Sequence, residues 1–424
     1  MHYGIAIKLI GKFGTKIMKC RFCKNQLTDI FLNLGYTPLA NSYLKKTEIE
    51  KPELSFPLCA YVCKKCFLVQ IDEEEKPENI FTNYAYFSSY SKTWLKHIEA
   101  FSEGIIHRFQ LDEESNVIEI ASNDGYLLKN FKKRNIPILG IEPASNVAKF
   151  ARKKGIPTIE KFFSHKTATE LVKKDQLADI LIAINVLPHV PNLNDFLKGV
   201  KKILKPDGTV IIQFSAYLLK LISQREFDTI YHEHYSYFSL FTLNKIFSRH
   251  GLNIFDVEEL SIHGGSLRIY ATHEQQKLIP SKKIQKLIAK EKKLGLRDIT
   301  TYTNFNEKVI SLKLDLWKFF INVQKQGKKV VCYGAPAKGN TLLNYCGIKN
   351  DLIEFTVDIS PHKQGLYLPG THIPIHEPKF IRKNKPDYVM ILAWNLKEEI
   401  MEQMNFIREW GGKFVIPIPN VRVI

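Results

Sequence analysis

The chain has no run of about 18 uncharged apolar residues, which excludes a membrane-crossing helix at the level of hydropathy. Its first 17 residues, MHYGIAIKLIGKFGTKI, scatter lysines among short apolar runs and lack a small-residue cleavage site, so a secretory signal is not expected either. They end just before Met18 and carry no motif. The expectation is an N-terminal extension, residues 1–17, that the rest of the chain can do without, with a short basic membrane-touching helix as the weaker alternative. A complete G-x-G-x-x-G is absent, which weakens a dinucleotide-dependent oxidoreductase, and the H-E-x-x-H of zinc proteases is absent too. Arginine-rich stripes interleaved with exposed aromatics are also missing. The formal charge of +18 is therefore read as lysine-covered helical faces rather than a nucleic-acid-binding surface.

What is present is an ordinary globular composition, 45% hydrophobic and 25% charged, in a chain too long for one core. At about 150 residues per domain, its 424 residues suggest about three domains. Seven cysteines are an odd number, and five lie between Cys20 and Cys66, which suits metal binding in a reducing cytoplasm better than a disulfide framework. Cys20-Arg-Phe-Cys23 and Cys63-Lys-Lys-Cys66 are two C-x-x-C knuckles that can aim four thiolates at one tetrahedral Zn²⁺. A thioredoxin-like redox pair competes, but it normally occurs once, between a strand and a helix, and here the flanks are short strand-like runs. Four thiolates leave no open position, so the zinc is expected to be structural. Cys59, outside both knuckles, is read as a buried thiol.

After a helix over about Lys92–Phe109, the run Asn116-Val-Ile-Glu-Ile-Ala-Ser-Asn-Asp-Gly125 takes a strand into a loop and then a helix from about Tyr126. The next strand, Ile138–Ile141, ends in Glu142-Pro143, and further strands are expected at Ile180–Ile184 and Thr209–Phe214. Strands alternating with helices imply an α/β fold with a parallel, doubly wound sheet, whose ligand lies beyond the carboxyl ends of the strands. Glu142 is placed to accept hydrogen bonds from ribose hydroxyls. The loop Ala121–Gly125 does not suit a pyrophosphate. Glu119, Asn123 and Asp124 instead offer acceptors to a cationic amino-acid moiety, which favours S-adenosylmethionine over NAD; helix capping is the alternative for Asn123 and Asp124.

Residues Ser281–Lys325 read as two long helices leading into a fresh strand, Lys329–Tyr333, then the glycine loop Gly334-Ala-Pro-Ala-Lys-Gly339, a helix, and strands at Phe355–Val357 and Tyr388–Leu392. This is a second Rossmann-like unit, in which Lys338 near a helix N-terminus can hold a diphosphate and Asp358 ends a strand where a ribose is sensed. A fold kept for packing alone is the alternative. Tyr231-His-Glu-His234 stands by itself as an ambiguous cluster, because His232 and His234 share a face only on a strand.

Together, Val117–Leu128, the run from Asn185 through His189 to Asp195, Leu204-Lys-Pro-Asp-Gly208, Tyr231–His234, the paired knuckles and the loop Lys363–His372 resemble the sugar C-methyltransferases that methylate C-3′ of nucleotide-linked 4-keto-deoxysugars. The likeness extends over nearly the whole chain from Met18. It implies residues 18–80 as a zinc-binding domain, 81–275 as a Rossmann-like, class I S-adenosylmethionine methyltransferase domain, and 276–424 as a helical linker with a C-terminal Rossmann-like domain. It implies His234 as general base, Glu233 and Tyr231 as its partners, and His189 facing the transfer site. Cofactor contacts fall to Tyr86, Ser89, Glu119, Ala121, Asn123, Asp124, Gly125, Glu142, Pro143, Asn185 and Val186. Substrate contacts fall to His263, Gly264, Gly265 and Arg268, with Lys338 and Asp358 holding the nucleotide. The glycines also suit a plain turn between strands. The expected protein is a cytoplasmic monomer that binds a nucleotide-linked keto-sugar. Methylation of an oxygen or another carbon remains open, because fold and cofactor do not choose the acceptor atom.

Overall fold

A computed structural model describes residues 18–75, 89 and 92–424. Its strands, in chain order, are β1 (Asp29–Thr37), β2 (Phe56–Val62), β3 (Val69–Ile71), β4 (Val117–Ile120), β5 (Ile138–Ile141), β6 (Thr158–Ile159), β7 (Ala178–Ile184), β8 (Leu204–Phe214), β9 (Ser236–Tyr237), β10 (Leu252–Leu260), β11 (Ser266–His273), β12 (Val330–Tyr333), β13 (Thr356–Val357), β14 (Ile375–His376), β15 (Tyr388–Ile391), β16 (Lys413–Ile416) and β17 (Arg422–Val423). They form three sheets.

The central sheet has the order β10-β11-β8-β7-β4-β5-β6. The pairings make six of its strands parallel and reverse β11 alone, which the expectation of a purely parallel sheet did not include. Strands β4 (VIEI) and β7 (ADILIAI) are near-continuous apolar runs, as strands covered by helices on both faces require. The strand order reverses between β4 and β7, so the crevice for a ligand opens beyond their carboxyl ends.

The second Rossmann-like unit has the order β14-β13-β12-β15-β16-β17, parallel except for β17. Ahead of it lie three helices, not two: Lys282–Leu294, Ile299–Thr303 and Phe305–Lys325. Gly295, at φ +84°, ends the first, and Asp298 caps the next through the Thr300 amide at 3.0 Å. This region does more than link. Glu291, buried on the first helix, accepts hydrogen bonds from the Leu240 and Phe241 amides, at 2.5 and 2.9 Å, and so covers the N-terminus of helix Leu240–Arg249.

The N-terminal sheet, β1-β2-β3-β9, is completed by a strand that follows the Tyr231–His234 cluster. Its apolar face is continuous with the core of the C-terminal unit, and Phe31 stacks on Phe305 at 5.0 Å. Each buried side chain of that size contributes about 1.5–3 kcal/mol. The zinc-binding sheet is therefore cemented between the other two units. Among the described residues no helix is long and apolar enough to cross a membrane.

Candidate active site and metal centre

The two knuckles are built alike. In each, the first cysteine's amide bonds back across the turn (Cys20 to Asn25 O, 2.7 Å; Cys63 to Leu68 O, 3.0 Å), and the residue after the second cysteine is left-handed (Lys24, φ 63°; Phe67, φ 62°). The Sγ atoms of Cys20, Cys23, Cys63 and Cys66 all lie within 4.8 Å of one another, with Cys20–Cys66 at 3.6 Å and Cys23–Cys63 at 3.5 Å. Four sulfurs at about 2.3 Å from a tetrahedral Zn²⁺ stand about 3.8 Å apart, so the cage fits that ion. Gln70 Nε2 reaches the Cys20 sulfur at 3.4 Å, a donor suited to a thiolate ligand. Cys59 is half-buried on β2, outside this cage.

Beyond β4 the chain makes a loop of left-handed residues, Ala121 (φ 54°), Asn123 (φ 49°) and Gly125 (φ 77°). A Cβ on Gly125 would lie 2.7 Å from Ile156, so both space and φ demand glycine there. Glu142, ending β5, accepts the Asn123 amide at 2.9 Å and the Ala144 amide at 2.8 Å, pinning this loop to the end of β5. Helix Leu128–Lys132 has no side-chain cap, so capping does not account for the polar residues before it.

Glu119 Oε2, Asp124 Oδ1 and Asn185 Oδ1 are buried without a hydrogen-bond partner among the described residues. Burial, together with Glu142 and Asp124 nearby, holds the Glu119 carboxyl well above the usual carboxylate range. A crevice of unsatisfied acceptors at the switch point needs donors and positive charge. The ammonium, sulfonium and ribose hydroxyls of S-adenosylmethionine supply both. Val186 is buried beside Asn185, whereas Pro143 and Ala121 are half-buried. Tyr86 lies outside the described residues, and Ser89 is half-buried.

His189 closes the 3-10 turn Leu187–His189 after β7, and Tyr231–His234 follow the turn Phe227–Thr229 beyond β8, so two neighbouring loops bring the two histidines together. Their rings lie 4.7 Å apart, edge to face. His234 Nδ1 is 2.9 Å from the Thr229 carbonyl and its Nε2 is 2.9 Å from the Tyr231 hydroxyl. A carbonyl has no proton to give, so Nδ1 carries the ring proton and Nε2 is the basic nitrogen. His189 Nδ1 is fixed in the same way by the Glu233 carbonyl at 2.8 Å. Burial keeps both imidazoles neutral, pulling His189 down to about 4 and His234 well below its usual range, the latter helped by His189. The Glu233 carboxyl is pushed up to about 7 by burial, against an opposing hydrogen bond from Asn41. His232 points away, toward the Pro57 carbonyl at 3.3 Å and the Phe56 ring.

The remaining expected contacts divide. Gly264 and Gly265 sit in the turn between β10 and β11, where a Cβ on Gly264 would lie 2.7 Å from the Trp394 indole. Arg268 is turned into the sheet, its guanidinium held by Gln213 (2.7 and 3.0 Å) and Glu258 (2.7 Å) over the Phe101 ring, so in this structure it ties β8, β10 and β11 together. Lys338 is half-buried at the C-terminal unit's boundary with the central one, bonded to Asn395 and lying 3.8 Å over the Trp394 ring. Asp358 accepts the Ala335 and Ser360 amides, each at 2.8 Å, and pairs with Lys363 at 3.8 Å.

Four residues that sequence reasoning did not single out stand in or beside this site. Asn41 Nδ2 donates to Glu233 Oε1 at 2.6 Å, and Tyr43 donates to the Ala335 carbonyl at 2.6 Å. Trp394 Nε1 donates to the buried Asp228 carboxylate at 2.7 Å. Asp228, three residues before Tyr231, could have been noticed by adjacency. The others carry no local signal, because their partners lie 166 to 292 positions away.

Comparison with known proteins agrees with this layout. Family models described as a zinc binding domain, a methyltransferase domain and a C-methyltransferase C-terminal domain match residues 20–81, 94–257 and 261–419. Their succession defines a zinc-containing, S-adenosylmethionine-dependent methyltransferase. The chain belongs to the C-methyltransferase family: it is 33% identical over 408 residues to C-methyltransferase NovU of Streptomyces niveus, spanning 96% of this chain and 97% of that protein. A shorter likeness, 26% over 105 residues, joins 22% of this chain to 43% of the ubiquinone biosynthesis O-methyltransferase of Pasteurella multocida. Among solved structures, the PH0226 protein of Pyrococcus horikoshii is 15% identical, covering 47% of this chain and 99% of that one with a TM-score of 0.36.

Proposed function

We propose that this C-methyltransferase acts on C-3′ of a nucleotide-linked 4-keto-deoxysugar, with His234 as general base. The observation that carries this reading is the buried His234 imidazole, neutral and with Nε2 fixed as its basic nitrogen, one loop away from Asn185 and the cofactor crevice. Methylating carbon requires a carbanion equivalent, and an adjacent ketone makes a C–H acidic enough for a positioned base. His234 Nε2 takes the C-3′ proton, the C–H electron pair becomes the enolate π bond, and the Tyr231 hydroxyl beside it is placed to hold the developing oxyanion. Glu233 orients the loop and balances the charge that His234 gains.

Glu119, Asp124, Glu142 and Asn185 would hold the cofactor, which supplies an electrophilic methyl group when bound. Lys338 and Asp358 are the proposed nucleotide contacts, with the turn at Gly264 and Gly265 the proposed contact of the sugar. The domain limits 18–80, 81–275 and 276–424, a monomeric state and a cytoplasmic location, where four thiolates stay reduced, belong to the same reading.

Solvent deuterium exchange at C-3′, followed by NMR without the methyl donor, isolates proton abstraction from transfer. In His234→Gln this exchange is expected to fall by about 10²–10⁴, with cofactor affinity retained. Exchange at the wild-type rate would move the base elsewhere, first to His189. No exchange in the wild type with any keto-sugar would remove the substrate class.

A further inference from the structure

The residues between β1 and β2 do not stay with the zinc-binding sheet. The stretch Ala40–Tyr43 passes between the Tyr231–His234 loop and the C-terminal unit, and it is fastened to that unit at both ends, by the glycine loop and by the helix Ala337–Cys346 that follows it. Asn340 donates to the Ala40 carbonyl at 2.6 Å, and Tyr43 donates to the Ala335 carbonyl at 2.6 Å. Asn41 stands between these anchors. Its amide nitrogen lies 2.6 Å from Glu233 Oε1, and its amide oxygen is 3.3 Å from the Tyr43 hydroxyl.

Nothing in the packing of the zinc-binding sheet requires a carboxamide here, since its core is made by Phe31, Leu32, Leu34, Leu58, Ala60 and Val62. We infer that Asn41 is a positioning residue for Glu233, so that the connection between β1 and β2 contributes, through that carboxylate, to proton abstraction in the neighbouring methyltransferase unit. The inference rests on the assignment of Tyr231–His234 as the reacting loop.

Other groups face Glu233 but leave this contact distinct. From its own loop come Tyr231 and His234, which bond each other, and from the loop after β7 comes His189, which takes the Glu233 carbonyl rather than its carboxylate. From the C-terminal unit, Lys363 and Asp358 approach behind Tyr43, with Lys363 committed to the Ala335 carbonyl at 2.8 Å and to Asp358 at 3.8 Å. Asn41 is thus the side chain that orients the buried carboxylate, and an amide donor to a carboxylate favours its ionised form.

The test uses the full, zinc-loaded chain carrying Asn41→Ala or the isosteric Asn41→Asp, with a 4-keto-deoxysugar nucleotide as substrate. C-3′ exchange is expected to fall about 10- to 100-fold in Asn41→Ala, the worth of one hydrogen bond to a charged group, with zinc content and S-adenosylmethionine affinity unchanged. The acid limb of the exchange rate should move to higher pH, because Glu233 without its donor keeps its proton longer, and further still in Asn41→Asp, which adds a second negative charge. A wild-type rate and limb in both variants would overturn the inference, as would equal losses of exchange, zinc and cofactor binding, which mark a purely structural role.

A substrate-free measurement separates this from failure of the functional assignment. With ¹³C-carboxyl-labelled glutamate, Glu233 should titrate at higher pH in either variant than in the wild type. An unchanged titration would overturn the coupling even if the reaction proved to be a different one.

Discussion

Glu233 and His234 are neighbours whose burial acts in opposite senses. Desolvation keeps His234 neutral far below its ordinary range, so it is ready to accept a proton at any pH near neutrality, whereas the Glu233 carboxyl titrates at about 7. The acid limb of proton abstraction near neutral pH should therefore belong to Glu233, with the rate falling as pH drops through about 7. Glu233→Gln, uncharged at every pH, is expected to give a rate about tenfold lower that stays flat between about pH 6 and 8; a limb that persists would return the titration to histidine. Glu142 is the second residue to test. Because it pins the loop after β4 as well as facing the crevice, Glu142→Ala should weaken S-adenosylmethionine by about 10- to 100-fold in calorimetry, with no competition from NAD. At this scale the sequence was informative where chemistry is local: four cysteines at C-x-x-C spacing, and an acid ending the second strand of the methyltransferase sheet. It was silent on Asn41, whose partner is 192 positions away, and although it read Arg268 as a substrate contact it could not show that Gln213 and Glu258 hold that guanidinium on the reversed strand β11.

Elements carry the zinc. The knuckles sit on turns whose following strands, β1 and β3, pair through β2 into one sheet, so the ion fixes the register of a layer shared by two cores. Cys20→Ser should therefore leave less than one zinc per chain and lower the melting temperature of the whole molecule in one transition, not of a detachable piece. An early, separate transition, or a variant that folds normally without zinc, would contradict this. Most strands were legible because buried parallel strands read as apolar runs: β5 falls at the expected Ile138–Ile141, and β7 starts two residues earlier than expected. The short helix Ile299–Thr303 between the two expected long ones was missed, since five residues are too few to show a helical period.

At the scale of the whole molecule, Trp394 is the fastener between the C-terminal and central units: its ring lies under Lys338, its edge meets Gly264, and its N–H holds Asp228. Burial raises the Asp228 carboxyl to about 6, above its value in an unfolded chain. Keeping it buried thus costs stability increasingly as pH rises from the ordinary carboxylate range through about 6, and the indole donor offsets part of that cost. Trp394→Phe, which deletes the donor but keeps a ring, should destabilise the chain by about 1–3 kcal/mol in denaturant titrations, more at pH 8 than at pH 5. An equal deficit at both values would mean that Asp228 stays protonated and that only packing was lost.

The strand that completes the zinc-binding sheet, β9, lies more than 150 residues after Cys66, the last of the four knuckle cysteines, and the helix carrying Phe305 comes later still. During synthesis, at about 5–20 residues per second, the four cysteines leave the ribosome many seconds before their sheet can close. In that interval the knuckles can capture metal, but the apolar face of β1 and β2 has no cover. Supply of the metal and protection of that face would thus be needed early in the life of each chain, long before it can bind either of its substrates.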